Sequence, residues 1–315
     1  MSRIRNGIPV ILINDPGLDG AVAIALALLD PRLDVAAILP SAGNISSAQA
    51  TRNVHGILGH LDPKRLPRVG IAPPTEYDID NKALHGHNGL AGLDLPAVKP
   101  MFGQSSDRLL VEMARAEPGK YTVLVMGPSS VLAAALDREP SLAALLKCVI
   151  LGGGCRQHPG NCGPGIEFHF RCDPEAARKV IHAGFNLQLV PLDATRNLVI
   201  SPTCLETFSC ASKTGRFLRQ IIPPAFKLSA GGHGIEGFPM DDLGPLLCLL
   251  DEYEIQARRL AVDVETRGEI TRGMSVFDLR WATKTQPNIL VAGEIPESIF
   301  CRYLDRVTQL MDPDC

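Results

Sequence analysis

The sequence predicts an α/β fold: an open, mostly parallel, doubly wound (Rossmann-like) sheet flanked by helices, with an added C-terminal helical region and a β-hairpin. Three observations carry this expectation. Short apolar runs alternate with helix-like segments through the first two-thirds of the chain. The strand-like runs are continuously apolar, as in parallel sheets covered on both faces. The first of them, Pro9-Val10-Ile11-Leu12-Ile13, leads into the acidic turn Asp15-Pro16-Gly17-Leu18-Asp19 at the strand's carboxyl end, where ligands of such sheets bind.

The elements follow in order. Ala21 to Leu29 reads as a buried helix with Asp19 as its cap. Val35 to Leu39 is the second strand, followed by a helix from about Ser46 to Leu61, the short apolar Val69 to Ala72, and a loop from Pro73 to about Pro100. Asp107 to Ala116 and Ser130 to Leu136 read as helices around the strand Tyr121 to Met126, and Cys148 to Leu151 is the next strand. Asp173-Pro174 opens a helix as cap and first residue. Leu187 to Leu192 is the strand after it; beyond Ser201 the pattern turns helical, broken by a Gly-rich segment, Ser229 to Gly237, expected as a loop. Ala261 to Thr266 alternates with period two, turns at Arg267-Gly268 and returns through Ile270 to Val276, a hairpin signal. With no repeat, low-complexity tract or linker, a single domain over 1–315 is the simplest organisation.

Composition narrows the function. The 315 residues are 45% hydrophobic and 21% charged with a net charge of −3, which gives no electrostatic footprint for nucleic acid or an anionic membrane. No apolar run approaches the roughly 20 residues that span a bilayer. The amino terminus shows no secretory pattern. Nine cysteines, an odd number without any Cys-x-x-Cys pair, fit a reducing cytoplasmic compartment. Cys155, Cys162 and Cys172 match no common zinc spacing and read as buried or loop thiols.

Polar residues cluster after the strands. Asp15 and Asp19 follow the first, Asn44 the second, Gly127-Pro128-Ser129-Ser130 the Tyr121 strand, and Gly152-Gly153-Gly154 the Cys148 strand, with Asn161, Glu167 and His169 beyond; Asp241-Asp242 precede an apolar helix. Singly, each reads as a turn former or cap. Together they describe a carboxylate-rich pocket that needs a cation or a polyhydroxylated ligand to offset its repulsion.

Ile13-Asn14-Asp15-Pro16-Gly17-Leu18-Asp19-Gly20 resembles the Asp-x-Asp-Pro-Gly-x-Asp-Asp fingerprint of the inosine-uridine-preferring nucleoside hydrolases. Further matches run in order along nearly the whole chain: Gly43-Asn44 with Thr51-Arg52-Asn53, His85-Gly86-His87-Asn88-Gly89-Leu90, Met126 to Ser130, Leu151 to Gly154, Glu167-Phe168 with Asp173 to Ala177, and Val262 to Met274. The resemblance implies hydrolysis of the N-glycosidic bond of a ribonucleoside, with Ca²⁺ at the pocket floor and a homodimeric or homotetrameric assembly. By position it makes Asp15 metal ligand and general base, Asp242 and the Ser130 carbonyl further ligands, and Asp19, Asn44, Glu167 and His169 the grip on the ribose hydroxyls. Carboxylates near the sugar suit the reaction, because the transition state develops oxocarbenium character.

Five departures from the family pattern stand out. The fingerprint's last aspartate is Gly20 and its first is Ile13, so calcium loses a ligand and should bind more weakly. Asn14, Asp241 or water are the candidates to fill the gap. His169 stands where many relatives carry Asn, Asp241 where they carry a His that protonates the leaving base, and Arg196 where a histidine is common. The leaving-group acid is then sought in His233, His85 or His87, with His85 and Asp241 also counted as substrate-binding. His55, His60, His158 and His182 read as structural or surface residues. The competing reading is a relative that has lost hydrolysis and binds a ribosylated ligand or a partner protein. A phosphatase site would need a second carboxylate at Ile13 or Gly17.

Overall fold

Strand β1 (Ile8–Asn14) runs through the interior, with Val10 to Ile13 and Asn14 all fully buried. Its side chains alternate between the two faces. Val10 and Leu12 enter one apolar cluster, Ile11 and Ile13 the other. This computed structural model describes residues 7–96, 103–233, 236–251, 253–280 and 285–311.

After β1 the chain forms α1 (Leu18–Leu29), β2 (Leu33–Pro40), α2 (Ser47–Leu61), β3 (Arg68–Val69), α3 (Lys82–His85) and α4 (Ser106–Ala116). It continues through β4 (Thr122–Met126), α5 (Ser130–Arg138), α6 (Leu142–Leu145), β5 (Cys148–Gly152), α7 (Phe168–Cys172), α8 (Pro174–His182) and β6 (Leu187–Val190). The last third holds α9 (Leu192–Thr195), β7 (Val199–Ile200), α10 (Pro202–Glu206), α11 (Lys213–His233), β8 (Phe238–Pro239), α12 (Leu243–Leu250), β9 (Ala257–Val264), β10 (Ser275–Asp278), β11 (Ile289–Ala292) and α13 (Glu297–Met311).

One nine-stranded sheet has the order β10-β9-β11-β6-β5-β4-β1-β2-β3, and β7 and β8 form a separate two-stranded ribbon. From β3 to β11 neighbours pair in parallel; β9 is antiparallel to both β11 and β10. The expected hairpin is therefore β9–β10, and it extends the main sheet through β11 instead of standing apart. Residues of α1, α11, α12 and α13 pack on one face of the sheet, and those of α4, α5 and α8 on the other.

Several local expectations change. The cap of α1 is Gly17, not Asp19, which lies inside the first helical turn and so has its carboxylate available to the pocket. The Gly-rich loop expected from Ser229 is helix as far as His233. A glycine in a helix costs about 1 kcal/mol relative to alanine. Burial of one large apolar side chain contributes about 1.5–3 kcal/mol, and α11 buries Phe217, Leu218, Ile221 and Ile222. Tertiary packing outweighs propensity here. The strand expected to reach Leu192 ends at Val190 because Pro191 has no N–H to continue the ladder.

Candidate active site

The site forms where the sheet changes direction. From β1 the chain passes outward to β2 and β3, then returns to the other side of β1 for β4, β5 and β6. Asn14 at the end of β1 pairs with Pro40 of β2 and Met126 of β4, and Gly152 of β5 with Val190 of β6. The carboxyl ends are thus level, and the loops after them meet in one crevice.

Asp15 is fully buried at its base. Its Oδ2 accepts the Asn44 backbone N–H at 2.7 Å, and Asn44 Nδ2 donates to the Asp15 carbonyl at 3.3 Å. A Cβ on Gly43 would stand 1.8 Å from Asp15 Oδ2, so this loop reaches the carboxylate only because residue 43 has no side chain. Asn53 clamps the turn from behind, donating to the carbonyls of Pro16 and Asn88. The Leu18 N–H donates to His85 Nδ1 at 3.0 Å. A neutral His85 ring accepting there carries its proton on Nε2.

Glu167 caps α7: its two oxygens accept N–H groups from Gly154, His169 and Phe170 at 2.8–3.0 Å. The His169 ring lies between two acids, Nε2 at 3.5 Å from Asp15 Oδ1 and Nδ1 at 3.5 Å from Glu167 Oε1. Burial disfavours the charged imidazole, but Asp15 and Glu167 outweigh it and raise the pKa well above the ordinary histidine value. At the start of α12, Asp242 accepts from Asn14 Nδ2 at 3.2 Å, and Asp241 accepts from the Thr195 hydroxyl.

The acids are electrostatically crowded. Burial, reinforced by Asp15, raises Asp19 to about 6. Asp241 also rises to about 6, from burial only partly offset by its Thr195 hydrogen bond. Asp242 lies well above the carboxylate range through burial and the neighbouring Asp19. Asn14 Oδ1, Asp15 Oδ1 and Asp19 Oδ1 are buried with no hydrogen-bond partner among the described residues. Buried acceptors in this state favour a ligand that supplies positive charge or donors.

Asp19, Asn44, His85, Glu167, His169, Asp241 and Asp242 line one cavity of about 150 Å³. Asp15 is not on its wall but underneath it, against His169. Ser130 opens α5, its hydroxyl bonded to Asp173 and Tyr77, and it is not on the wall either. His87 belongs to a different groove, with His55 and Asn88, which removes it as a donor to this cavity. His233 ends α11; its side chain lies outside the described residues. Arg196 reaches the wall but pairs with Glu294.

His158, expected to be structural, lines the cavity, as do Thr195, Asn81 and Phe238. The Gly152-Gly153-Gly154 turn that introduces Glu167 and His169 was the available signal for His158. Phe238 arrives through the β7–β8 ribbon, which two-residue strands leave unmarked in the sequence. Among the described residues no three His, Cys, Asp or Glu side chains form a ready metal cage; Cys155 and Cys172 are buried and Cys162 is half-buried, all as free thiols. No helix among the described residues is long and apolar enough to cross a membrane.

The fold places an acid-lined crevice at the carboxyl end of β1, and comparison with known proteins gives its class, a hydrolase. The family model for inosine-uridine preferring nucleoside hydrolase matches residues 10–301. The non-specific ribonucleoside hydrolase RihC of Escherichia coli (strain SMS-3-5 / SECEC) is 32% identical over 311 residues, covering 96% of this chain and 99% of that protein. A plant nucleoside hydrolase, the PpNRh1 enzyme, superposes with a TM-score of 0.89 at 25% identity, covering 97% of this chain and 99% of its own. A purine-preferring ribonucleoside hydrolase from Gardnerella vaginalis shares the fold, with a TM-score of 0.86 at 21% identity over 96% of this chain and 99% of its own. The chain belongs to the inosine-uridine preferring nucleoside hydrolase family, whose members are N-glycosyl hydrolases.

Proposed function

We propose that this chain hydrolyses the N-glycosidic bond of a ribonucleoside to the free base and ribose. One observation carries the reading: the loops after β1, β2 and β5 and the turn before α12 bring Asp19, Asn44, Glu167, His169, Asp241 and Asp242 around a single small cavity. The hydroxyl-rich ring of ribose fits a wall of acceptors. Asp19 and Asn44 hold its hydroxyls, and Asp15 Oδ1 takes the proton of the attacking water. His85, with its Nε2–H, is the donor to the departing base that the described side chains support; His233 stays a second candidate. As positive character grows on the sugar, the carboxylates stabilise it more than they do the ground state.

The donor set suits a hard divalent cation such as Ca²⁺, since the buried, unsatisfied Asn14 Oδ1 and Asp15 Oδ1 are oxygen ligands beside Asp242. Asp15 and Asp242 would hold it, with the Ser130 carbonyl as a further donor by position. When bound, such an ion makes a coordinated water a better nucleophile near neutral pH. We expect the enzyme to work as a homodimer or homotetramer in the cytoplasm.

The test is release of ribose from a panel of ribonucleosides by the purified chain with calcium. Turnover absent on every one, relative to an Asp15→Ala control, overturns the reading. The burial of Asp15 beneath His169 favours a second one, in which the protein binds a ribosylated ligand without cleaving it. That alternative predicts saturable nucleoside binding with no ribose released.

A further inference from the structure

The loss of a side chain at Gly20 leaves a space, and the structure shows what occupies it. A Cβ built on Gly20 would stand 2.6 Å from Asn14 Oδ1, 2.9 Å from Asn14 Nδ2 and 2.8 Å from Asp242 Oδ2. The Asn14 amide therefore lies where a residue-20 side chain would begin. Strand parity puts it there: Asn14 is two residues beyond Leu12 and four beyond Val10, both in the apolar cluster that includes α1. Asn14 is completely buried. Its Nδ2 donates to Asp242 Oδ2 at 3.2 Å, while its Oδ1 has no partner among the described residues.

We propose that Asn14 replaces the ligand missing at Gly20, its Oδ1 completing a divalent-cation site with Asp15 and Asp242. This rests on the reading of the pocket as a metal-assisted N-ribohydrolase site. The amide has a role for each end: Nδ2 holds the Asp242 carboxylate in place, and Oδ1 is the neutral, hard donor that calcium accepts alongside carboxylates. An amide in place of a carboxylate lowers the negative charge of the ligand set by one. The ion is bound more loosely than by three carboxylates, and the two positions are coupled. Restoring an acid at residue 20 alone gains nothing, since its Cβ would press on both the Asn14 amide and the Asp242 carboxylate that this amide holds.

Calorimetric titration of the full chain with calcium chloride tests this, with folding of each variant checked by circular dichroism. Asn14→Asp is expected to tighten calcium binding by about tenfold and Asn14→Ala to weaken it by about tenfold. Gly20→Asp alone is expected to bind no more tightly than the parent, whereas Asn14→Ala combined with Gly20→Asp recovers what Asn14→Ala loses. Unchanged affinity in both Asn14 single variants, tighter binding in Gly20→Asp with Asn14 intact, or no calcium binding by either the parent or Asn14→Asp each overturns the proposal. Ribose release in the same samples keeps the two ideas apart. Hydrolysis with no effect of Asn14 on calcium affinity sinks this inference alone, and Asn14-dependent calcium binding without hydrolysis of any ribonucleoside sinks only the functional reading.

Discussion

Two kinds of carboxylate meet in and beneath the cavity. Glu167 has backbone N–H donors on both oxygens, three in all, of the roughly four acceptor positions a carboxylate offers. Asp242 has the single amide of Asn14, and Asp15 and Asp19 each keep one oxygen without a hydrogen-bond partner among the described residues, that of Asp15 facing the His169 imidazole. The first kind holds a loop in place, joining Gly154 after β5 to the start of α7. The second kind is raised in pKa or lies under a histidine, a costly state that a bound cation or sugar relieves. Acidity alone does not separate the two kinds; the count of donors does.

The contrast is sharpest under substitution. Asp15→Asn keeps an oxygen for the Asn44 N–H but removes the proton acceptor, so kcat for ribose release should fall by about 10²–10⁴-fold, with the fold intact by circular dichroism. Glu167→Gln should do the reverse. It withdraws one acceptor oxygen from backbone N–H groups that stay buried, costing about 1–3 kcal/mol, read as a lower Tm, while kcat of the folded fraction changes far less than in Asp15→Asn. Equal kcat losses in the two would erase the distinction.

His169 mediates between the two kinds, since it touches Asp15 on one side and Glu167 on the other. It is the charged neighbour that lowers the pKa values of both Asp242 and Asp19. His169→Asn should therefore lower the Tm of the calcium-free protein at pH 7 and enlarge the gain in Tm on adding calcium. A variant whose calcium-induced gain matches the parent's would show that the imidazole does not offset these acids.

The sequence made legible what depends on local order. Asp15, Asp19 and Asn44 follow apolar strands directly, and parallel strands deliver such residues to one edge by geometry alone. Asp241-Asp242 was readable for a similar reason, placed before an apolar helix. What escaped depends on packing between distant segments. His158 reaches the cavity from a loop and Thr195 from the end of the one-turn helix α9, and both are held by contacts made more than thirty residues away, as in the hold of Asp193 on the Arg156 and Gln157 N–H groups and of Asp241 on Thr195. The helix through Gly231 and Gly232 escaped because propensity was outvoted by the buried face of α11. Asn14 is the intermediate case: alternation along β1 already points it at α1, but only the collision distance at Gly20 shows that its amide occupies the vacated space.

The smallest expected effect concerns pH and follows from the second kind of acid. Asp19 and Asp241 titrate at about 6 in the folded chain, against an ordinary value of 3.8. A folded pKa above the unfolded one means that between about pH 4 and 6 the native state binds more protons than the unfolded state, so stability declines as pH rises through that window. His169 acts in the same direction, because its raised pKa contributes stability below the ordinary histidine value that is lost as pH climbs past the folded one. The Tm of the calcium-free protein should accordingly be higher near pH 5 than near pH 8. Asp241→Asn should flatten the slope between pH 4 and 6, since the amide has no charged form to bury. Calcium should flatten it too, by favouring the ionised carboxylates and lowering their folded pKa values. A calcium-free Tm that rises steadily from pH 5 to 8 would mean that these acids are already compensated, and that the difference from Glu167 is one of position only.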